Sequence, residues 1–143
     1  MRILLTGATG FVGKHLYARM SGEHELHLLV RPSTDYSALS PRHVCCFDGD
    51  VERLADYLRE HQVEGIIHLA SLYLASHRPD QVADLVNANI LLGISLLEAA
   101  KLAGVKWFLN TGTIWQNYQS PERSDDYHPV NLYAATKQAL ITM

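Results

Sequence analysis

Short apolar runs alternate with longer stretches of helical periodicity along the whole chain. Apolar runs between turn residues are typical of buried strands, whereas apolar positions three and four apart are typical of helices. The predicted strands are residues 3–5, 24–30, 43–47, 65–70 and 105–110. The predicted helices are residues 11–21, 51–61, 80–103 and 131–140. This alternation predicts an α/β fold of one domain, a doubly wound parallel sheet with helices on both faces.

A glycine-rich turn follows the first strand directly and leads into the first helix. Gly7 allows a tight bend, Gly10 lets the backbone approach a pyrophosphate, and Gly13 lets the helix pack close to the strand. The N–H groups at the helix start would face the anion, and the helix dipole favours its charge. The turn therefore predicts a dinucleotide site, with a purely structural turn as the alternative. The expected contacts are Gly7, Thr9, Gly10, Phe11, Val12 and Gly13.

The end of the second strand bears on the choice of cofactor. An acidic residue there would bind the 2′-hydroxyl of NAD, but Arg31 occupies the position and Ser33 and Thr34 follow. A cation with hydroxyl donors suits a 2′-phosphate, so NADP(H) is favoured. A solvated Arg31 is the alternative, and Asp35 keeps NAD(H) possible.

A carboxylate pair follows the third strand. Asp48 and Asp50 precede Val51. Asp50 could bind the adenine amino group while Val51 packs on the ring. Asp50 is also a good helix N-cap, and the two roles are compatible.

The last predicted helix carries a tyrosine and a lysine four residues apart. Tyr133 and Lys137 therefore share one helix face. A nearby ammonium stabilises phenolate, so the tyrosine could exchange a proton with a carbonyl or alcohol while hydride moves to or from a nicotinamide. Thr113, after the fifth strand, could hydrogen-bond the substrate oxygen. The alternatives are a solvated helix face and a turn threonine that binds its own backbone.

These motifs occur together in a characteristic order. They are the glycine turn, His68-Leu69-Ala70-Ser71, Asn89 with Leu96-Leu97-Glu98-Ala99-Ala100, Thr113, and Tyr133-x-x-x-Lys137. The chain thereby resembles the extended short-chain dehydrogenase/reductases, the NAD-dependent epimerase/dehydratase family, over its whole length. The resemblance implies a Rossmann-type NAD(P)-binding domain of a nucleotide-sugar oxidoreductase.

The same resemblance implies individual roles. Tyr133 would be the acid/base, Lys137 its pKa modulator and ribose ligand, and Thr113 the hydroxyl that orients the substrate carbonyl. Asn89, counted among the cofactor-binding residues, would help to order the site. The residues implied to line the cofactor cleft near the nicotinamide are Leu69, Ala70 and Ser71.

Two stretches depart from the commoner family pattern. At residues 111–118, family members usually have consecutive serines followed by Val-Tyr-Gly. At residues 131–137, they more commonly have a sequence that contains proline and serine. Both variants resemble the CDP-abequose and CDP-paratose synthases, which implies 4-keto reduction of a CDP-deoxyhexose. The alternatives are an epimerase or dehydratase with bound NAD and a non-catalytic NAD(P)-binding sensor or scaffold. Ile114 and Trp115 stand where a dehydratase usually has acidic residues.

Length is a third departure from the family. Family members are about twice as long, so we expect a truncated chain, residues 1–143, that lacks a C-terminal substrate domain. The family also implies a homodimer of the full-length protein, formed by the helices at 80–103 and 131 onward.

Composition narrows the class of protein further. The formal charge is −3 with no basic stripe, which is against nucleic acid as a partner. No uninterrupted apolar run approaches the length of a membrane span and no signal peptide is recognised, so we expect a cytoplasmic protein without a membrane partner. Cys45 and Cys46 are interpreted as small buried apolar residues rather than as a disulfide or a metal site. The 8 histidines are scattered without ligand spacing, so no metal site is expected.

Overall fold

The structure is a computed structural model that describes residues 1–117 and 126–143. Its residues form two compact units. Unit 1 consists of Met1–Ala70 and Ser95–Asn110, and unit 2 consists of Ser71–Ile94 and Thr111–Met143. Tyr118, the last residue of the unusual stretch after the fifth strand, lies outside the described residues.

Unit 1 is built on a five-stranded parallel sheet. The strands are β1 (Arg2–Thr6), β2 (Glu25–Val30), β3 (His43–Cys46), β4 (Gly65–His68) and β5 (Trp107–Asn110). They lie in the order β3-β2-β1-β4-β5, and every neighbouring pair is parallel. The predicted α/β class is confirmed. This order makes the carboxyl ends of β1 and β4 a topological switch point, where open sheets bind ligands.

The core of unit 1 forms because its central strands are apolar on both faces. Ile3, Leu4 and Leu5 of β1 have exposed fractions of 1% or less. Helix α1 (Phe11–Met20) packs Leu16 against this core. Burial on both faces holds β1 in place and thereby fixes the position of the turn that follows it.

Helix α2 (Val51–Glu60) connects β3 to β4. Its N-cap is Asp50, whose carboxylate accepts a hydrogen bond from the Arg53 backbone N–H at 3.0 Å. Leu54 and Leu58, four residues apart, are buried. A 3₁₀ turn, Ser37–Leu39, lies between β2 and β3 and was not predicted.

The helices of unit 2 differ from the prediction in one respect. The segment predicted as a single helix is a 3₁₀ turn (Pro79–Gln81), α3 (Val82–Val86), a π-helical turn (Asn87–Leu91) and α4 (Leu92–Ala103), whose later residues belong to unit 1. A further 3₁₀ turn (Ile114–Gln116) and α5 (Leu132–Thr142) complete unit 2. A π-helical turn inserts one residue into a helix and often marks a functional position.

One helical region is long and apolar enough to cross a membrane. Pro79–Ala103 meets that criterion by length and composition alone, contrary to the expectation from apolar runs. The core helix of a soluble protein meets the same criterion. Leu85, Leu96 and Ala99 within this region have an exposed fraction of 0%, but only 33% of its apolar window is buried.

Candidate functional site

The glycine turn of unit 1 leaves no room for side chains. Gly7 has a φ of +70°, a conformation that favours glycine, and a Cβ there would lie 2.7 Å from the Ala70 backbone nitrogen. A Cβ on Gly13 would collide with the carbonyl oxygen of Gly7. The Gly10 N–H donates to that same oxygen at 3.0 Å. The turn is therefore a cradle of bare backbone at the switch point between β1 and β4.

The start of α1 is open to an anion. Gly10 is its N-cap, and in the described part of the chain no side chain caps the helix and no acidic residue stands in its first turn. Thr9, Phe11 and Val12 are exposed, and the exposed fractions are 78% for Phe11 and 61% for Val12. The uncapped N–H groups and the helix dipole give this end a positive potential that suits a pyrophosphate.

A buried threonine joins the two strands at the switch point. Thr6 Oγ1 accepts a hydrogen bond from the Ala70 backbone N–H at 3.0 Å and lies 2.8 Å from His68 Nδ1. This bond holds the half-buried Leu69 and Ala70 beside the glycine turn. Thr6 was missed by the sequence analysis; its signal is a hydroxyl at the last position of a buried strand.

The residues predicted to select the cofactor lie at the carboxyl end of β2. Arg31 and Ser33 are exposed there. Asp35, the residue that kept NAD possible, accepts a hydrogen bond from the Ser37 backbone N–H at 2.9 Å, and this bond lowers the pKa of its carboxyl. Asp35 thus stabilises its own turn, while the role of Arg31 stays a prediction.

Asp50 has the structural role that was one of its two predicted functions. It caps α2, while Asp48 pairs with Arg53, an interaction that lowers the pKa of Asp48. Asp50 also lines a cavity of about 150 Å³ that includes Cys45, and Val51 beside it is half-buried. Adenine binding by Asp50 and Val51 stays a prediction.

The tyrosine and lysine of unit 2 both lie on α5. Asn131 caps this helix by accepting a hydrogen bond from the Ala134 backbone N–H at 2.8 Å. Tyr133, in the first turn, is 8% exposed, and its ring meets that of Tyr73 edge-on with centroids 5.0 Å apart. Lys137 follows one turn later on the same helix face.

Lys137 is a buried cation. Its exposed fraction is 1%, and its Nζ has no hydrogen-bond partner among residues 1–117 and 126–143. Burial lowers the pKa of this amine because the charged form loses its hydration. A desolvated ammonium costs free energy unless something pairs with it. Its donors are suited to oxygen atoms of a ligand.

Thr113 is held in a turn that is tied to α5. Its backbone N–H donates to Gln116 Oε1 at 2.7 Å, and its Oγ1 accepts from the Trp115 N–H at 3.4 Å. Gln116 Nε2 in turn donates to Gln138 Oε1 at 2.7 Å. The threonine hydroxyl caps its own turn, which is the alternative role predicted for it. The hydroxyl can still donate its hydrogen to a ligand. Gln116 and Gln138 were missed by the sequence analysis.

Asn89 orders unit 2 from within the π-helical turn. It is fully buried, and its Oδ1 accepts from the Leu72 N–H at 2.7 Å. Its Nδ2 donates to the Leu72 carbonyl and to Thr136 Oγ1, both at 3.0 Å. Thr136 Oγ1 donates to the Tyr133 carbonyl at 2.7 Å. Both amide hydrogens of Asn89 are used within the unit, which matches an ordering role rather than donation to a cofactor; Ser71, next to Leu72, is exposed.

The residues present fit a dinucleotide cofactor, each unit by a different feature. Unit 1 offers the cradle that a Cβ at Gly7 or Gly13 would fill, next to an uncapped helix start. Unit 2 offers the Nζ of Lys137, which has no partner among the described residues and is a donor suited to ribose hydroxyls. The donor set is one of backbone N–H groups and an ammonium, which suits phosphate and hydroxyl oxygens.

Known proteins resemble this chain in sequence and in fold. It is 26% identical over 143 residues to CDP-abequose synthase of Salmonella muenchen, covering 99% of this chain and 46% of that protein. It is 32% identical over 142 residues to methionine adenosyltransferase 2 subunit beta of Xenopus laevis, covering 95% and 40%. The Bordetella bronchiseptica enzyme WbmG in complex with NAD matches with a TM-score of 0.80 at 25% identity, covering 99% of this chain and 48% of that one.

The family assignment rests on nearly the whole chain. The chain spans less than half the length of each of these three proteins. The sequence profile of the NAD dependent epimerase/dehydratase family matches residues 3–143. The resemblance inferred from the ordered motifs is confirmed: this chain belongs to the NAD dependent epimerase/dehydratase family.

Proposed function

We propose that the chain carries the cofactor-binding and acid/base residues of a nucleotide-sugar oxidoreductase, one that reduces the 4-keto group of a CDP-deoxyhexose with NADPH. The observation that carries the proposal is Lys137, a buried ammonium without a partner in the described chain, one helical turn after Tyr133. Support for the substrate class comes from the similarity to CDP-abequose synthase over 99% of the chain.

The proposed chemistry is a proton transfer at a carbonyl oxygen. Tyr133 gives its phenolic proton to the keto oxygen, and the Thr113 hydroxyl donates a hydrogen bond to the same oxygen. Lys137 stabilises the resulting phenolate and holds ribose hydroxyls. When bound, the nicotinamide supplies the hydride. Tyr73 and Asn89 keep the tyrosine in place, through ring contact and through Thr136.

The proposed cofactor contacts in unit 1 follow from its strand ends. The glycine turn binds the pyrophosphate, Arg31 and Ser33 bind the 2′-phosphate, and Asp50 with Val51 binds adenine. Ser71, with Leu69 and Ala70, lines the nicotinamide end. The preference for NADP(H) rests on the exposed Arg31 and on the engagement of Asp35 in its own turn.

Two other functions have an observation in their favour. Similar sequences include UDP-glucose 4-epimerases, which favours an epimerase, and WbmG was solved with NAD, which favours NAD(H) as its cofactor. The Xenopus laevis relative is named as a subunit of an adenosyltransferase and not as an oxidoreductase, which keeps a non-catalytic NAD(P)-binding protein as the other candidate. An epimerase returns its cofactor to the starting redox state and a non-catalytic protein leaves it unchanged, so net oxidation of NADPH by a keto-sugar distinguishes the reductase from both.

The proposal is tested by Tyr133→Phe in the whole protein. We expect loss of NADPH oxidation with a CDP-4-keto-deoxyhexose, because phenylalanine has no proton to give, while NADPH affinity stays within about twofold of wild type. Titration should show tighter binding of NADPH than of NADH. Retained turnover would refute the role of Tyr133, and tighter NADH binding would refute that of Arg31.

We further propose a cytoplasmic protein that forms a homodimer. The dimer comes from the family resemblance and the location from the sequence. Light scattering of the whole protein measures the first, and fractionation of cells that express it measures the second; a monomer or a membrane-bound fraction would contradict them.

A further inference from the structure

Three histidines converge in unit 1, away from the glycine turn. His27 lies on β2, His43 is the first residue of β3, and His61 is the C-cap of α2. We call them the three-histidine cluster. One ring nitrogen from each lies within 4.8 Å of the others. The scattered histidines predicted no metal site, but the fold brings these three together.

Strand register produces the cluster. His27 and His43 are direct partners in the parallel β2–β3 ladder, so their side chains lie next to each other on one face. Their rings stack with centroids 4.4 Å apart, and the His61 ring lies 5.0 Å from that of His27. His27 is fully buried, whereas the side chain of His43 is 35% exposed, so the cluster has a route to solvent.

A carboxylate lies next to two of the three histidines. Glu25 precedes His27 by two residues on β2, and alternation places both side chains on the same face. Its Oε1 lies 3.0 Å from His27 Nε2 and 3.8 Å from His43 Nε2. Three imidazoles and one carboxylate form the nitrogen and oxygen set that zinc accepts in tetrahedral sites.

Tyr57 supplies the outer contact that metal-binding histidines usually have. Its hydroxyl lies 2.9 Å from His27 Nδ1, and its ring lies 4.3 Å from the ring of His61. With Nε2–H donating to the Glu25 carboxylate, Nδ1 accepts from the phenol. If Nε2 bound a metal, the ring proton would move to Nδ1 and donate to the phenol oxygen. Such partners fix the tautomer of a ligand histidine.

The surroundings favour a cation. The cluster lies at the carboxyl end of α2, where the helix dipole is negative.

We propose that the three-histidine cluster, completed by the Glu25 carboxylate, is a zinc-binding site. Nitrogens bound to one tetrahedral zinc ion lie about 3.4 Å apart, so the three histidine nitrogens, which lie within 4.8 Å of one another, must approach by up to about 1.4 Å through ring rotation. Four protein ligands fill the coordination shell, which is the arrangement of structural sites. Zinc would join β2, β3 and the end of α2, and would stabilise unit 1 without taking part in the proposed redox reaction.

The test is zinc titration of the whole protein, without a polyhistidine tag and freed of metal by a chelator. We expect one Zn²⁺ per chain in competition with a chromogenic chelator, and a higher Tm with the metal bound. His43→Gln and His61→Gln should each weaken binding at least about a hundredfold, and Tyr57→Phe by about ten- to a hundredfold. Cobalt in place of zinc should give the strong visible absorption of a tetrahedral site.

His77→Gln is the matched control, because His77 is exposed and lies in unit 2. It should leave zinc affinity unchanged. A wild-type protein that binds no zinc below about 10 µM would overturn the proposal. So would unchanged affinity in the double variant of His43 and His61, or an octahedral cobalt spectrum. If those variants fail to fold, Glu25→Gln replaces them, since Glu25 is 48% exposed and its loss should still weaken binding at least about tenfold.

Discussion

The glycine turn of unit 1 is formed by backbone atoms, whereas the α5 region of unit 2 is held together by side chains. The turn consists of backbone and excludes side chains, since a Cβ at Gly7 or Gly13 would meet main-chain atoms. The α5 region consists of side chains that hydrogen-bond one another, with Asn89 and Gln116 buried at its centre. Adding an atom should therefore disrupt the first region, whereas removing a polar group should disrupt the second.

The two regions also lower the free energy of unfolding in different ways. Forming the glycine turn reduces the conformational entropy of the backbone, but the turn itself contains no buried charge. The α5 region holds the Lys137 ammonium away from water without a described partner. Residues that serve a ligand often carry such a cost in the ligand-free protein. Three substitutions test this contrast.

Gly13→Ala should have the largest effect. Its Cβ would collide with the Gly7 carbonyl, so the turn and α1 must separate, at a cost of about 3 kcal/mol in the free energy of unfolding. Cofactor binding should be lost, as measured by NADPH titration. The control is Gly22→Ala, where a Cβ meets nothing within 4 Å. Equal stability of the two variants would contradict the close packing.

Asn89→Leu should have the next largest effect. The change keeps the branched outline of the side chain but leaves the N–H and carbonyl of Leu72 and the hydroxyl of Thr136 without this partner. We expect a loss of about 2 kcal/mol in urea unfolding. Asn87→Leu, an exposed position in the same π-helical turn, is the control and should be nearly neutral. A neutral Asn89→Leu would mean that this network does not order unit 2.

Lys137→Met should have the smallest effect, and of opposite sign. Methionine fills the same space without a desolvated charge, so the cofactor-free protein should gain about 1 kcal/mol while turnover is lost. The pH dependence gives a second measurement. Because burial lowers the pKa of Lys137 in the folded state, the unfolded chain binds more protons over the interval up to the ordinary value of 10.5. The protonation of Lys137 should therefore make the free energy of unfolding of the wild type rise with pH over that interval.

Lys137→Met should lack this rise in the free energy of unfolding with pH. Lys101→Met, on the exposed surface of α4, is the control and should retain it. An identical slope in wild type and Lys137→Met would show that the buried amine does not change protonation on folding.

Most of the framework could be predicted from local patterns. Helix α1 was predicted at 11–21 and spans Phe11–Met20, and β2 was predicted at 24–30 and spans Glu25–Val30. The fourth strand was predicted to reach Ala70 but ends at His68. The reason is a tertiary bond: the Ala70 N–H pairs with the Thr6 side chain, 64 residues away, rather than continuing the ladder.

The details of the candidate site were less predictable. Tyr133, Lys137 and Thr113 could be named from spacing and order, but the burial of Lys137 could not, because a lysine at that spacing is usually solvated. The π-helical turn also escaped prediction. It contains Asn89, whose partners Leu72 and Thr136 come from distant parts of the chain.

The sequence by itself determined the alternation of strands and helices, the glycine turn and the family, because these depend on residue type and on spacing within one element. The tertiary structure decided which polar groups are buried and which meet. His27 and His43 are 16 residues apart in the sequence and become neighbours only through the β2–β3 register. Contacts between elements depend on register and packing, which local periodicity does not encode.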